Sequence, residues 1–161
     1  MYDLWGFSAL SAHPTRYHPR PVPLSALFDR LRSARQDDLP SLRTYHAQVE
    51  EIVARVRATC DAWAGLRQIE PDNTRLANTA AVNRWELLRL AERAQRLRAP
   101  RTAAGLHRDL SAGLVDAARA WQLLANGYRS HKSEAVCDGQ ALLVESAASV
   151  ERVNQQLAAA G

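Results

Sequence analysis

The chain has 161 residues, a formal charge of +4, 47% hydrophobic and 6% aromatic residues. That length suits one domain, which can bury roughly 70% of its unfolded surface, and the hydrophobic content excludes a disordered chain. No apolar run approaches the roughly twenty residues that cross a bilayer, and the first residues lack a signal-peptide pattern, so the expectation is a cytoplasmic protein without a membrane partner.

Residues 1–23 hold four of the seven prolines, Pro14, Pro19, Pro21 and Pro23, together with Trp5, Phe7 and Leu10. The stretch from His18 to Pro23 reads as extended and semi-rigid. This predicts an N-terminal proline-rich arm over 1–23 and a helical bundle domain over 24–161. A short leading helix follows the arm, with Ser25 as its N-cap and Leu27, Phe28 and Leu31 on its apolar face.

Pro40, Pro71 and Pro100 then fall about thirty residues apart, and no proline follows. Proline removes a helix hydrogen bond and clashes with the preceding turn, so these three mark the breaks between helices. The first long helix is predicted from about Pro40 to Ile69. Its stripe is Leu42, Val49, Val56 and Trp63, with Tyr45, Ile52, Thr59 and Leu66 three positions on. The second runs from about Asn73 to Ala99, capped by Asp72 or Asn73, with Leu76, Asn83, Leu90 and Leu97 beside Ala80, Leu87 and Ala94. The third begins near Thr102 and carries Leu110, Ala117 and Leu124 beside His107, Leu114, Trp121 and Tyr128. After a turn at 130–133, the fourth carries Val136, Leu143, Val150 and Leu157. Four similar helices with short links predict an all-α, up-down-up-down four-helix bundle.

The composition points away from most chemistries. Twenty of the 21 basic residues are arginine, with Lys132 the one lysine, which with the abundant alanine reads as the bias of a high-GC bacterial genome. A metal-binding bundle core needs Glu-x-x-His pairs, and none occurs. His46 and Glu50 make half a site at most, so no metal and no cofactor are expected. Cys60 and Cys137 lie in predicted helices and read as free thiols. The seven glycines are scattered and form no phosphate loop.

Two patterns keep a nucleic-acid reading open. Residues 72–99 carry six arginines against Asp72, Glu86 and Glu92, and Arg89, Arg93 and Arg96 share one helical face as phosphate-contact candidates. No aromatic interleaves them for base stacking. Arg101 and His107 have an Arg-x5-His spacing, which is similar to the Arg-x4–6-His signature of HEPN-family ribonucleases. The resemblance implies a dimeric helical bundle in which Arg101 contacts phosphate and His107 moves a proton. Here Thr102 follows the arginine, where that family often has asparagine.

Trp85 and Leu88 lie off the stripe of the second helix, and an off-stripe apolar pair marks an interaction surface. Asn83, polar in an apolar register, is of the kind that fixes register or oligomeric state. Together with Trp5, Phe7 and Leu10 of the arm, these features predict a non-enzymatic interaction protein, an adaptor, regulator or structural subunit that self-associates as a homodimer. The alternative is a nucleic-acid-binding or HEPN-like ribonuclease bundle. Deleting residues 1–23 should leave the protein helical while lowering its melting temperature or changing its mass per particle. An unchanged melt and mass would reduce the arm to a tail.

Overall fold

The computed structural model describes residues 41–160, and the expectations for the arm and the leading helix lie outside the described residues. Within 41–160 the protein is an all-α, up-down-up-down four-helix bundle. Helix α1 spans Leu42–Ile69, α2 Asn73–Arg96, α3 Ala104–Arg129 and α4 Ser133–Ala160, with a single 3-10 turn at Arg101–Ala103 before α3. At 1.5 Å per residue each helix is a rod of about 36–42 Å.

The helix starts follow from capping. Ser41 accepts a hydrogen bond from the Thr44 amide at 3.1 Å, and Asp72 accepts one from the Thr74 amide at 2.8 Å. The link at 70–72 contains Pro71, which cannot continue α1. Helix α2 stops at Arg96, three residues short of the expected Ala99, and Leu97 is already extended at ψ 134°. Pro100 disfavours helical geometry at the residue before it, so the extended link begins early. The α3–α4 turn closes with Lys132 N–H donating to the Gly127 carbonyl at 2.9 Å. His131 sits there at φ 53°, the left-handed position that usually ends a helix.

Short links place successive helices antiparallel, and α1 closes the ring between α2 and α4. The four sides of the ring are not equal. Helix α3 lies close against both α2 and α4, whereas α1 stands further from its neighbours. Side-chain size explains this. The buried faces of α2 and α3 are rich in alanine, and Gly113, Gly127, Gly139 and Ser146 are buried along α3 and α4. A Cβ on Gly139 would lie 3.0 Å from the Leu124 amide nitrogen, and one on Gly127 2.9 Å from that of Val136. Helix α1 instead buries Tyr45, Val49, Ile52, Val53, Val56 and Trp63, which hold its axis away.

Those larger side chains reach across the bundle to the diagonal helix α3. Trp63 meets Trp121 edge to face, with ring centroids 5.1 Å apart at 88°, and Tyr128 at 5.8 Å. The indole Nε1 atoms of Trp63 and Trp121 are buried without an oxygen or nitrogen partner. Edge-to-face stacking sets the positive edge of one ring against the negative face of the other, which stabilises this pair beyond its area. Asn83 is half-buried, at the margin of the stripe.

The glycine seam gives a paired expectation. Gly139→Val should lower unfolding free energy by about 1–3 kcal/mol, because the new atoms meet the α3 backbone at the Leu124 amide nitrogen and the Ala120 carbonyl oxygen as well as the Leu124 side chain. Gly65 has nothing within 4 Å of its would-be Cβ, so Gly65→Ala should raise stability by about 0.5–1 kcal/mol. Urea unfolding of both variants checks the pair.

Candidate functional site

The outer face of α2 carries the most exposed aromatic group of the bundle. Trp85 is 62% exposed and Val82, one turn before it, is 66% exposed. Positions three and four apart share a helix face, so the two form one apolar spot. The Arg84 guanidinium lies over the Trp85 ring, 5.2 Å from its centroid, and covers one face of the indole. Leu88, named with Trp85 from sequence, is half-buried and packs against the core. Val82 takes the neighbouring exposed place. Its signal was present in the sequence, since it lies opposite the buried stripe of Leu76, Ala80, Leu87 and Ala94. Trp5, Phe7 and Leu10 lie outside the described residues.

The arginines of this helix are laced with carboxylates. Arg93 grips both carboxylate oxygens of Glu51 on α1, with Nη1 3.0 Å from Oε1. The hydrogen bond and charge of Arg93 hold the Glu51 carboxyl below its ordinary range, and those of Glu51 push the Arg93 guanidinium up. A depressed carboxyl pKa favours the fold at neutral pH. That contribution is lost as pH falls through the carboxylate range, where the folded state must also take up the proton. Arg96 lies 3.8 Å from Glu92. Arg89 is exposed and has no carboxylate within 4.0 Å among the described residues.

Arg101 is exposed on the 3-10 turn, and His107 is half-buried on the first turns of α3. His107 Nδ1 lies 3.0 Å from the hydroxyl of Tyr45, which is fully buried at the start of α1. Burial pushes the Tyr45 phenol up, so the hydroxyl stays protonated beside the ring nitrogen. Both residues fall on expected stripes near the starts of α1 and α3, and the parallel run of those helices brings them together.

Elsewhere the titratable groups are tied to structure. His46 Nε2 pairs with Asn154 at 3.2 Å, and Asn73 with His131 Nδ1 at 3.0 Å, across the two turns at one end of the bundle. Cys60 and Cys137 are free thiols, and burial pushes the Cys60 thiol up, away from a reactive thiolate. Among the described residues no group of three or more His, Cys, Asp or Glu side chains can hold a metal ion. Among them, too, no helix is long and apolar enough to cross a membrane.

Tyr45→Phe should cost about 0.5–1.5 kcal/mol, the net worth of one hydrogen bond. His107→Ala should cost more, about 1–3 kcal/mol, because it strands the buried Tyr45 hydroxyl. Chemical denaturation of the two variants tests that order. Comparison of the chain with protein-family models, curated proteins and solved structures gives no match, so the chemistry of the site rests on the chain's own residues.

Proposed function

We propose that the protein is a non-enzymatic interaction protein, an adaptor, regulator or structural subunit that self-associates, with the outer face of α2 as its contact surface. The observation that carries this reading is Trp85, a large aromatic side chain left 62% exposed beside Val82. Burying such a ring against a partner is worth roughly 1.5–3 kcal/mol. Tryptophan is also among the residues that dominate binding energy at protein interfaces. Stacking by Arg84 restrains the indole, so less freedom is lost on docking. A homodimer in the bacterial cytoplasm belongs to the same proposal.

The nucleic-acid alternative draws on Arg89 and on the spacing of Arg101 and His107. Against it stand the carboxylates that engage Arg93 and Arg96 and the Tyr45 hydroxyl on His107. Sedimentation of the full chain across the micromolar range separates the readings. The interaction reading expects a mass that rises towards the dimer with concentration, and a Trp85→Asp variant that stays helical and monomeric. A chain that stays monomeric, yet binds RNA with an affinity that falls steeply with salt, would transfer the assignment to the alternative.

A further inference from the structure

Resting on the self-association reading, we infer that the partner on α2 is a second copy of the chain, docked antiparallel about a two-fold axis between Val82 and Trp85. The inference comes from the order of side chains along the outer ridge of α2. Val82 and Trp85 stand at its centre. Moving outward, Asn78 and Arg89 flank them, then Arg75 and Glu92, with Arg96 beyond. All seven are exposed, and their three- and four-residue spacing keeps them on one face.

The two halves of this ridge are complementary. A two-fold axis makes residue i meet residue j and j meet i. Centred between Val82 and Trp85, the antiparallel register sets each Trp85 on the opposite Val82 and each Asn78 opposite Arg89. It sets each Arg75 opposite Glu92. Arg75 and Glu92 then face opposite charges twice over, and Arg89 faces the uncharged Asn78. A parallel register would set Arg75, Arg89, Glu92 and Arg96 against themselves, and like charges in contact oppose association.

Arg75, Glu92 and Arg96 already have oppositely charged neighbours within the chain. Glu92 lies 3.8 Å from Arg96, and Arg75 lies 2.7 Å from Glu70. These contacts sit on exposed side chains of Arg75, Glu92 and Arg96, at 69%, 67% and 81%. Docking therefore adds a second partner to each group without first exposing it. Arg84, stacked on one face of Trp85, leaves the other face to the incoming Val82.

The register is tested by complementation between two full-length single variants. Arg75→Glu alone sets a new carboxylate opposite Glu92 twice, and Glu92→Arg alone sets a new guanidinium opposite Arg75 twice. Each should weaken self-association at least about tenfold, as expected for two new like-charge contacts. Mixed one to one, they should form a heterodimer in which both pairs are matched in sign (like charges at one pair of positions exchanged for opposite ones), within about threefold of the wild-type affinity. Sedimentation supplies the masses, and far-UV circular dichroism verifies that each variant is folded. If the wild type dimerises and Trp85→Asp does not, but the mixture stays monomeric or the single variants still dimerise, this register is wrong while the interaction reading stands. A wild type that stays monomeric throughout overturns both.

Discussion

The close approach of α3 to α4 sets the geometry on which the rest of the bundle depends. It exists because Gly113, Gly127 and Gly139 remove the atoms that would otherwise separate the two backbones. Alanine does the same, less completely, between α2 and α3. These three helices bury Trp121, Leu87, Leu110, Leu114, Leu124 and Leu157 towards the centre and leave one side of the core to be covered. The fourth helix must supply the volume, and Tyr45, Ile52 and Trp63 do so from α1. Glycine and alanine at the close helix contacts and large side chains such as Trp63 and Trp121 in the centre are two halves of a single packing solution.

That division also decides where polar contacts lie. Helix α1, standing off from its neighbours, is edged by bonds that span the wider gaps. Arg57 reaches Glu151 on α4 at 2.8 Å, Arg55 reaches Glu86 on α2 at 3.6 Å, and Arg93 reaches back to Glu51. Exposed pairs of this kind contribute little each, so α1 is held chiefly by its aromatic contacts with α3. On α2 the buried stripe and the α1-facing arginines are occupied, and what remains unclaimed is the ridge through Val82 and Trp85. The candidate surface is thus the side of α2 that bundle formation does not use.

Much of this was legible in the chain, for identifiable reasons. Pro71, Pro100 and the capping Asp72 mark helix breaks by backbone chemistry alone, and seven-residue repeats such as Val49, Val56 and Trp63 name the core. Trp85 stood out because its position opposes that stripe. Leu88 was harder, since its place at the edge of the buried sector depends on how closely α3 approaches. The glycines looked scattered because their meaning is pairwise. Gly127 and Gly139 matter through the backbone of the facing helix, which no single segment encodes. The bond from Tyr45 to His107 spans 62 residues, and only the parallel run of α1 and α3 brings its members together.

The wider spacing of α1 has a topological side. Every other junction of the ring joins helices that follow one another in sequence, so each can form as a local hairpin with little loop entropy. The contact of α1 with α4 alone unites segments about a hundred residues apart, as in the pairing of Arg57 with Glu151. Closing that gap carries the largest entropic cost of the four junctions, though one that grows only slowly with loop length. It also brings the beginning of α1 beside the end of α4, where His46 meets Asn154. The bundle is therefore close to a closed circuit of chain, cut at one corner, and its order of helices owes more to where that cut falls than to the packing it encloses.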